Sequence, residues 1–400
     1  MFSLFKKTIS KDLIVIDSQF PQEIPLGFRN TEINEYIKRI GNFDSYTMYP
    51  MQPGASAWFS HGYGVSSEEF DKNKKSYLIR YPNNSSKIHY LEQSNRYRAK
   101  LAYSFFLAET YVLLPFYNKN KIPFTFVLYP GGAFGLDNDS SDNMLKEIFD
   151  SKYFRNVIVT QDITRRYLID KKLCNEEDIS YIYGGFVQFN KDEIVQKKYY
   201  KQDKDTFDIC FVAAKYSDKG IDKGYDSFIA VAKLLASKID DVRFHVVGGF
   251  DETDIDVSGI KSKITFYGYK SPEFLLDFYS SMDIFLAPNR SGRLFEGSFD
   301  GFPLGIDAGY CGVALFVGDD LNMNSNYINR QDIAIINTDA VKIEENILVY
   351  YNNIEDLYEL SSKGCQKTQQ LFDTDYQIKE RIKVFNKYAK LKLDETIERD

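Results

Sequence analysis

The chain has 400 residues, of which 44% are hydrophobic and 27% are charged. This length is too great for one ordinary core and suits two domains, and the composition is that of a soluble globular protein rather than a disordered or fibrous one. The formal net charge is −7 with the two signs well mixed, which leaves no basic field for nucleic acid, so we expect no nucleic-acid partner.

The N-terminal residues and the cysteines bear on the location of the protein. The first apolar run is too short for a signal peptide, and no stretch has the apolar length of a membrane span. Phe2, Leu4 and Phe5 stand beside lysines, which leaves open a peripheral contact at the inner face of the membrane, although a frayed terminus is the simpler interpretation. The cysteines have no zinc-site spacing, as is typical of reduced thiols in a cytoplasmic protein; they are Cys174, Cys210, Cys311 and Cys365.

A strand, a glycine-bearing loop and a helix open the chain. The β-branched run Asp12–Asp17 is typical of a strand buried on both faces of a parallel sheet, and a helical pattern extends from Thr31 to about Ile40. Further β runs at Phe124–Tyr129 and Asn156–Thr160 alternate with helical stretches, which we place at 96–114, 142–149 and 163–171. This alternation predicts a Rossmann-like, doubly wound domain over residues 1–190.

The alternation restarts after a charged, strand-poor stretch. Residues 191–206 are predicted to be a linker or hinge, and residues 207–372 a second Rossmann-like domain. The terminal segment has a roughly helical apolar period, so residues 373–400 are predicted to form a helix that packs back on the first domain. The predicted fold class is α/β, with two Rossmann-like doubly wound domains facing each other across a cleft.

Three lysines follow the first strand of the second domain. Lys215, Lys219 and Lys223 come after the strand Phe207–Ala214, and Gly224 leads into a helix. Because the N-terminus of a helix beyond a parallel strand favours anions, these lysines are well placed to neutralise a diphosphate. Solvated surface lysines are common, and this alternative applies most to Lys219.

A second loop of this domain, DGFPLGID in the sequence, combines acids, glycines and a proline before a short helix. Gly301 and Gly305 allow a ligand close to the backbone, and Pro303 fixes the entry to the helix. Asp300 and Asp307 are acceptors suited to hydroxyl groups, although either acid alone is explained as a turn former or a first-turn acid. The amides available to an anion or a sugar hydroxyl are those of Phe302, Leu304 and Gly305.

These stretches resemble motifs of the GT-B glycosyltransferases, specifically the large retaining group called glycosyltransferase family 4. Lys223–Ile229 is similar to the family's Lys-Gly segment, Phe266–Asp283 to a downstream segment that begins F-x-G, and Pro288 with Asp300–Gly312 to its loop before a helix. The resemblance covers Phe207–Phe372 well and the first domain by architecture only. Each motif is weak alone, whereas their order and intervals together make the resemblance strong.

The resemblance implies that a nucleoside diphosphate sugar binds in the cleft as donor substrate, with no separate cofactor and no metal. Lys215 and Lys223 would contact the diphosphate, and Asp300 with the loop amides would address the donor sugar. Asp307 would bind the ribose hydroxyls, and Tyr267, in the second motif, joins the donor-binding residues. The candidate catalytic residues are Asp300, Lys223 and Lys215.

The sequence departs from the family pattern at two positions. The family's two glutamates appear here as aspartates, and Asp307 comes one residue early, which rotates its side chain by about a quarter turn. Glu296 is the other candidate for the second acid. Lys215 stands where an arginine is usual, and a short insertion after it lets Lys219 take either lysine role.

The resemblance also implies a glycine loop of the first domain near the diphosphate. Gly27 is the candidate, with Arg29 beside it as an acceptor or phosphate contact. The loop Tyr129–Phe134 stands where relatives often carry a histidine near the reacting carbon, and this chain has none there. Among the histidines, His61 is kept as an acceptor-site candidate, and His245, inside a strand pattern, is interpreted as a core residue.

The predicted function is the retaining transfer of a sugar from a nucleoside diphosphate donor to an acceptor hydroxyl. The acceptor would be a glycan, a lipid-linked molecule or a protein in the synthesis of bacterial surface polysaccharide or glycoconjugate, and the oligomeric state is left open.

Alternatives are a GT-B-like epimerase or phosphorylase, and a catalytically weak sugar-nucleotide or glycan-binding protein. No GxGxxG follows either opening strand, which disfavours a dinucleotide oxidoreductase. Metal-dependent transfer would need an Asp-x-Asp pair, for which the candidates are Asp137 with Asp139, Asp254 with Asp256, and Asp373 with Asp375.

Overall fold

The computed structural model describes residues 8–23, 27–51, 63–301 and 305–393 of the chain. It divides into two compact units, one made of Met1–Phe186 with Asp373–Asp400 and the other of Val187–Phe372. Each unit is built on one parallel β-sheet with helices packed on it. Within the described ranges, no helix combines the length and the apolarity needed to cross a lipid bilayer.

The first unit contains a seven-stranded sheet in which all neighbouring strands are parallel. Its strands are β1 (Thr8–Asp17), β2 (Phe43–Thr47), β3 (Ile88–Tyr90), β4 (Arg96–Phe105), β5 (Phe124–Leu128), β6 (Phe154–Val159) and β7 (Ile179–Tyr181). The spatial order β3-β2-β1-β4-β5-β6-β7 changes direction between β1 and β4. Doubly wound sheets bind ligands beyond the carboxyl ends of the strands at such a point.

In the described part of this unit, five helices connect these strands. They are α1 (Phe28–Arg39), α2 (Ser67–Arg80), α3 (Leu107–Asn120), α4 (Asp139–Phe149) and α5 (Asp162–Asp170). Polar side chains fix the starts of two of them, because Ser66 and Asn138 accept backbone N–H groups in the first turns of α2 and α4.

The structure corrects the helix predicted at 96–114. Arg96–Phe105 is the central strand β4, and α3 begins only at Leu107. The second half of β4, from Leu101 onward, is buried between β1 and β5, while its first half alternates between exposed and buried residues. The strand pairing on both sides therefore overrides a sequence whose apolar spacing also fits a helix. The strands β2, β3 and β7 have no counterpart among the predicted strands.

The second unit contains a six-stranded parallel sheet, whose first strand lies where the sequence predicts it. The strands are β8 (Phe207–Val212), β9 (Val242–Val247), β10 (Ile264–Phe266), β11 (Ile284–Ala287), β12 (Ala314–Gly318) and β13 (Ala334–Ile336). The order β10-β9-β8-β11-β12-β13 changes direction between β8 and β11. The helices are α6 (Tyr225–Ala236), α7 (Pro272–Ser280), α8 (Ile306–Tyr310), α9 (Ala340–Asn352) and α10 (Ile354–Leu371). Both units thus have the predicted doubly wound, Rossmann-like form.

The segment predicted as a linker at 191–206 lies in the second unit, whose boundary is at Val187. The backbone N–H of Lys198 donates to the carbonyl of Ser280 at 2.8 Å. The ammonium of Lys197 donates to the carbonyl of Tyr279 at 3.2 Å, and burial lowers the pKa of Lys197 to about 8. Tyr200 is 2% exposed. This segment, rich in lysine and tyrosine, therefore packs on the second unit through the methylene groups of its lysines and the rings of its tyrosines.

Helix α11 (Thr374–Ala389) belongs to the first unit. Arg381 on α11 is wholly buried and lies 3.2 Å, Nε to Oε1, from the equally buried Glu32 on α1. The Arg381 guanidinium also donates to the Tyr129 hydroxyl at 3.1 Å. The hydroxyls of Tyr36 and Tyr103 donate to the same carboxylate oxygen at 2.7 and 2.8 Å. A buried charge pair with this many partners fixes the helix against the sheet.

Candidate functional site

Lys223 and Asp300 meet at the point where the sheet of the second unit changes direction. Lys223 ends a short 3-10 turn, Asp218–Lys223, that follows β8, and Asp300 lies in the long connection after β11. The Lys223 ammonium is 2.5 Å from Oδ1 of Asp300, whose Oδ2 accepts from the Asn289 amide at 2.6 Å. Burial alone would lower the pKa of Lys223, but the Asp300 carboxylate outweighs it and raises that pKa. Two predicted catalytic residues are therefore in contact.

Glycines bring these two connections close together. Gly224, which precedes α6, has a φ of 74°, and a Cβ there would stand 2.4 Å from the carbonyl oxygen of Pro288. Gly305, which precedes α8, has a φ of 79°, and a Cβ there would stand 2.4 Å from the ring of Phe285. A side chain at Gly224 would push the loops after β8 and β11 apart, and one at Gly305 would push the start of α8 away from β11.

The other two lysines have different surroundings. The ammonium of Lys215 contacts the Asp254 carboxylate, and this hydrogen bond raises the pKa of Lys215. Lys219 is exposed at a φ of 54°, and the described residues offer it no ion pair. Of the three lysines, Lys219 is thus the one whose charge no carboxylate of the described residues balances. The sequence ranks it lowest because position along the chain does not reveal which lysines are paired.

Asp307 occupies the first turn of α8. Its Oδ2 accepts from the Gln188 side chain at 2.7 Å. Burial raises the pKa of Asp307 to about 6, although hydrogen bonds from Gln188 act in the opposite direction. Ala308, one residue later and wholly buried, stands where the resemblance places the second acid. Glu296, the alternative acid, is exposed. The ribose role of Asp307 stays a prediction.

Tyr267 and His245 belong to a polar cluster under the sheet edge of the second unit. The Tyr267 hydroxyl lies 3.0 Å from Nδ1 of His245, and Nε2 of His245 lies 2.7 Å from Asp208. The Tyr267 ring packs against Phe274 and Phe278 of α7. Both ring nitrogens of His245 therefore have partners, as suits the core role assigned to it. The hydroxyl of Tyr267 is engaged in this cluster, and its donor-binding role stays a prediction.

In the first unit, Arg29 is the centre of a charged cluster where the sheet changes direction. Its guanidinium donates to Asp17 at the end of β1 and to Glu109 in the first turn of α3, both at 2.7 Å. Ser18 donates to the same Glu109 oxygen at 2.7 Å. Burial raises the pKa of Glu109 to about 7, against the lowering effect of Arg29. The sequence analysis identifies Arg29 but neither Asp17 nor Glu109. Glu109 in particular is missed because the prediction places it inside a helix at 96–114, whereas it follows the strand β4.

The structure describes two of the remaining predicted residues, Gly27 and Gly301. Gly27 precedes α1 with a φ of 74°, and no atom of the described residues lies within 4 Å of where its Cβ would be. Gly301 is partly exposed. The residues Phe302, Pro303, Leu304 and His61 lie outside the described part of the chain.

The three Asp-x-Asp candidates are engaged in other contacts. Asp137 pairs with Lys171 at 2.6 Å, Asp254 with Lys215, and Asp373 accepts the Tyr376 N–H at the start of α11. Among the residues that the structure describes, no group of three or more histidine, cysteine or acidic side chains is placed to hold a metal ion.

Residues 206–353, within the second unit, match the family model described as Glycosyl transferases group 1. The match confirms the predicted class of enzyme, a glycosyltransferase. No curated protein sequence matches the chain. Family 4 membership and retention of configuration stay predictions.

Solved structures are similar to this chain over nearly its whole length. Sucrose-phosphate synthase from Thermosynechococcus elongatus has a TM-score of 0.62 at 14% identity, covering 94% of this chain and 98% of its own. A glycosyltransferase from Rickettsia africae has a TM-score of 0.62 at 11% identity, covering 96% and 99%. Anabaena HepE in complex with UDP has a TM-score of 0.65 at 12% identity, covering 95% and 100%, and HepE is also solved with UDP-glucose. At these identities the likeness concerns the fold, and it confirms the GT-B architecture.

Proposed function

We propose that the protein is a retaining glycosyltransferase of family 4 that moves a sugar from a nucleoside diphosphate donor to an acceptor hydroxyl. The observation that carries the proposal is the contact of Lys223 with Asp300. The contact lies where the sheet of the second unit changes direction, within the residues that match the group 1 family model. We further propose an acceptor from bacterial surface polysaccharide or glycoconjugate synthesis. A cytoplasmic location is in keeping with the free cysteines of the described chain.

The chemistry requires that the bond to the anomeric carbon loosens while negative charge collects on the leaving diphosphate. Lys223 and Lys219, for which the described residues offer no carboxylate, supply positive charge after β8. Lys223 is largely buried, which strengthens its effect, whereas Lys219 is exposed. Asp300 holds Lys223 in place before the donor binds. Once the phosphates share the ammonium, the Asp300 carboxylate is available to hydroxyls of the donor sugar. A phosphate oxygen takes the proton of the acceptor hydroxyl, so no protein base is needed.

The first experiment identifies the donor. Because HepE is solved with UDP and with UDP-glucose, UDP-glucose is the first probe, in a thermal-shift panel with ADP, GDP, TDP and their sugars. A ligand that binds only the folded state raises the melting temperature. The selected donor is then followed by release of the nucleoside diphosphate, with and without acceptor sugars. If no nucleoside diphosphate or sugar of the panel stabilises the protein, the proposal is wrong.

The Lys223→Ala variant tests the charge that the proposal depends on. We expect about a tenfold or greater loss of UDP affinity, together with lower turnover, because a charge-assisted contact is removed. Lys233→Ala is the matched control, since Lys233 on α6 is more exposed and lies 3.5 Å from Asp256. If Lys223→Ala and Lys233→Ala have the same UDP affinity and turnover, Lys223 does not contact the phosphates.

A second candidate function is favoured by one observation. Both oxygens of Asp300 are engaged, by Lys223 and Asn289, and the acid is shorter than the family's glutamate. This arrangement also suits a sugar-nucleotide-binding protein with little catalysis. Calorimetric binding of UDP-glucose without any release of UDP over long incubation would support this candidate and overturn transfer.

A further inference from the structure

The Asn289 side chain makes one of the two contacts that hold the Asp300 carboxylate. Asn289 follows β11 by two residues and is 9% exposed. Its amide nitrogen donates to Oδ2 of Asp300 at 2.6 Å, while the Lys223 ammonium lies 2.5 Å from Oδ1. Among the described residues, these are the only polar contacts of the Asp300 side chain. Each oxygen of the carboxylate therefore has its own donor.

The backbone of Asn289 is enclosed by two glycines from neighbouring connections. A Cβ at Gly224, which precedes α6, would stand 3.2 Å from the backbone nitrogen of Asn289. A Cβ at Gly318, which ends β12, would stand 2.3 Å from the carbonyl oxygen of Asn289. The chain thus leaves β11 with no room for a side chain at either glycine. A residue that orients another group must itself be fixed, and the backbone of Asn289 meets this condition.

Asp300, in contrast, is open to a ligand. Of its side chain 26% is exposed, compared with 15% for Lys223. Rotation of an aspartate carboxylate about its Cβ–Cγ bond has only a weak intrinsic preference. The two hydrogen bonds, rather than close packing, therefore decide where the oxygens of Asp300 point.

The two donors respond differently to a bound diphosphate. The Lys223 ammonium is attracted by phosphate oxygens as well as by the carboxylate, because both are anionic. The Asn289 amide is neutral and gains less from a phosphate, since hydrogen bonds between charged partners are the stronger ones. The contact with Lys223 is therefore the one that a diphosphate weakens, and the contact with Asn289 is the one that stays.

We propose that Asn289 is a positioning residue that keeps the Asp300 carboxylate in place while the phosphates of the donor share Lys223. The inference rests on the proposed function and concerns the second unit alone. With Oδ2 still bound to the amide, Oδ1 is presented to a hydroxyl of the donor sugar. Without the amide, the carboxylate follows the ammonium or rotates into solvent, and the sugar loses a fixed hydrogen-bond acceptor.

The Asn289→Ala variant tests this role through the affinity that the sugar adds. Calorimetric titrations give the dissociation constants of UDP and UDP-glucose, and the first divided by the second, the sugar ratio, isolates the contribution of the sugar. We expect the sugar ratio to fall about fivefold and the rate of UDP release about tenfold, while the affinity for UDP alone changes less than about twofold. Asn346→Ala is the matched control, because Asn346 is a partly buried asparagine on α9 of the same unit. If the panel selects another nucleoside diphosphate sugar, that pair replaces UDP and UDP-glucose.

A double-mutant cycle separates positioning from a general structural role. If Asn289 acts through the carboxylate, Asn289→Ala has no further effect on the sugar ratio in the Asp300→Ala background, because the group that the amide holds is absent. A distorted loop would lower the ratio in both backgrounds. Asn289→Leu fills a similar space without a donor, so a loss shared by the alanine and leucine variants does not come from a cavity. The leucine variant also carries the test if the alanine variant does not fold.

The outcomes separate this inference from the proposed function. If the native protein binds UDP and turns over UDP-glucose, and Asn289→Ala has the sugar ratio and rate of Asn346→Ala, then Asn289 is not a positioning residue and the function stands. An equal fall of the ratio in both backgrounds, or loss of UDP binding in Asn289→Ala, also overturns the inference alone. If the native protein binds no nucleoside diphosphate or sugar of the panel, the function itself fails.

Discussion

Lys223 and Asp300, which are 77 residues apart in the sequence, are joined by an ion pair of 2.5 Å between the loops that follow β8 and β11. The pair is only partly exposed, with 15% and 26% of the two side chains accessible. Any diphosphate that binds at Lys223 must compete with the carboxylate already there. We therefore expect the pair to couple the binding of phosphate to the release of an acid that suits sugar hydroxyls.

The Asp300→Asn variant is expected to bind UDP more tightly and to turn over UDP-glucose more slowly. Removing the carboxylate takes a negative charge away from the phosphates, which we expect to raise UDP affinity roughly fivefold, or by about 1 kcal/mol. Calorimetric titration with UDP and the rate of UDP release measure the two effects. Asp256→Asn, at an exposed ion pair with Lys233, is the control. A weaker affinity for UDP in Asp300→Asn would show that the carboxylate does not compete with phosphate.

Lys219 is expected to contribute more to UDP binding than Lys215, the reverse of the order that the sequence favours. Lys215 is balanced by Asp254, whereas the described residues offer Lys219 no carboxylate. We expect Lys219→Ala to weaken UDP binding several-fold at low salt and Lys215→Ala to weaken it less, with the difference shrinking at high salt because exposed charges are screened. Titrations at two ionic strengths check this. A larger loss of UDP affinity in Lys215→Ala than in Lys219→Ala would indicate that Lys215 is the diphosphate contact.

The Arg381→Met variant is expected to destabilise the first unit by about 3–5 kcal/mol, because it leaves the Glu32 carboxylate buried without its cation. The urea midpoint of unfolding measures the loss. Lys379→Met, on the exposed face of the same helix, should leave the midpoint nearly unchanged. Adding Glu32→Gln to Arg381→Met should restore part of the stability. If the single variant matches the control, the buried pair does not hold α11.

Much of the fold follows from local sequence signals, whereas the pairing of charges does not. The strands of the second unit are short β-branched runs between clear turns, so their positions are predictable. The strand β4 is not, because its residues fit a helix equally well and only pairing with β1 and β5 decides the matter. That one error also hides Glu109. Likewise, the contacts of Lys215 with Asp254 and of Asp307 with Gln188 depend on tertiary packing, which the spacing of residues along the chain does not reveal.

Asp307 is expected to make the stability of the second unit depend on pH. Burial raises its pKa from the ordinary 3.8 to about 6, so folding favours the protonated acid. The stability it contributes is complete below about pH 4 and is lost as the pH rises through about 6.

In Asp307→Asn this loss is absent, because the amide does not ionise. Relative to the native protein, the variant should therefore gain stability between pH 4 and pH 7, whatever constant cost it carries from altered bonding to Gln188. Urea midpoints at the two pH values measure this, with Glu345→Gln, at an exposed position on α9, as control. A native-to-variant difference that is the same at both pH values would mean that Asp307 ionises in the folded protein as easily as in the unfolded chain.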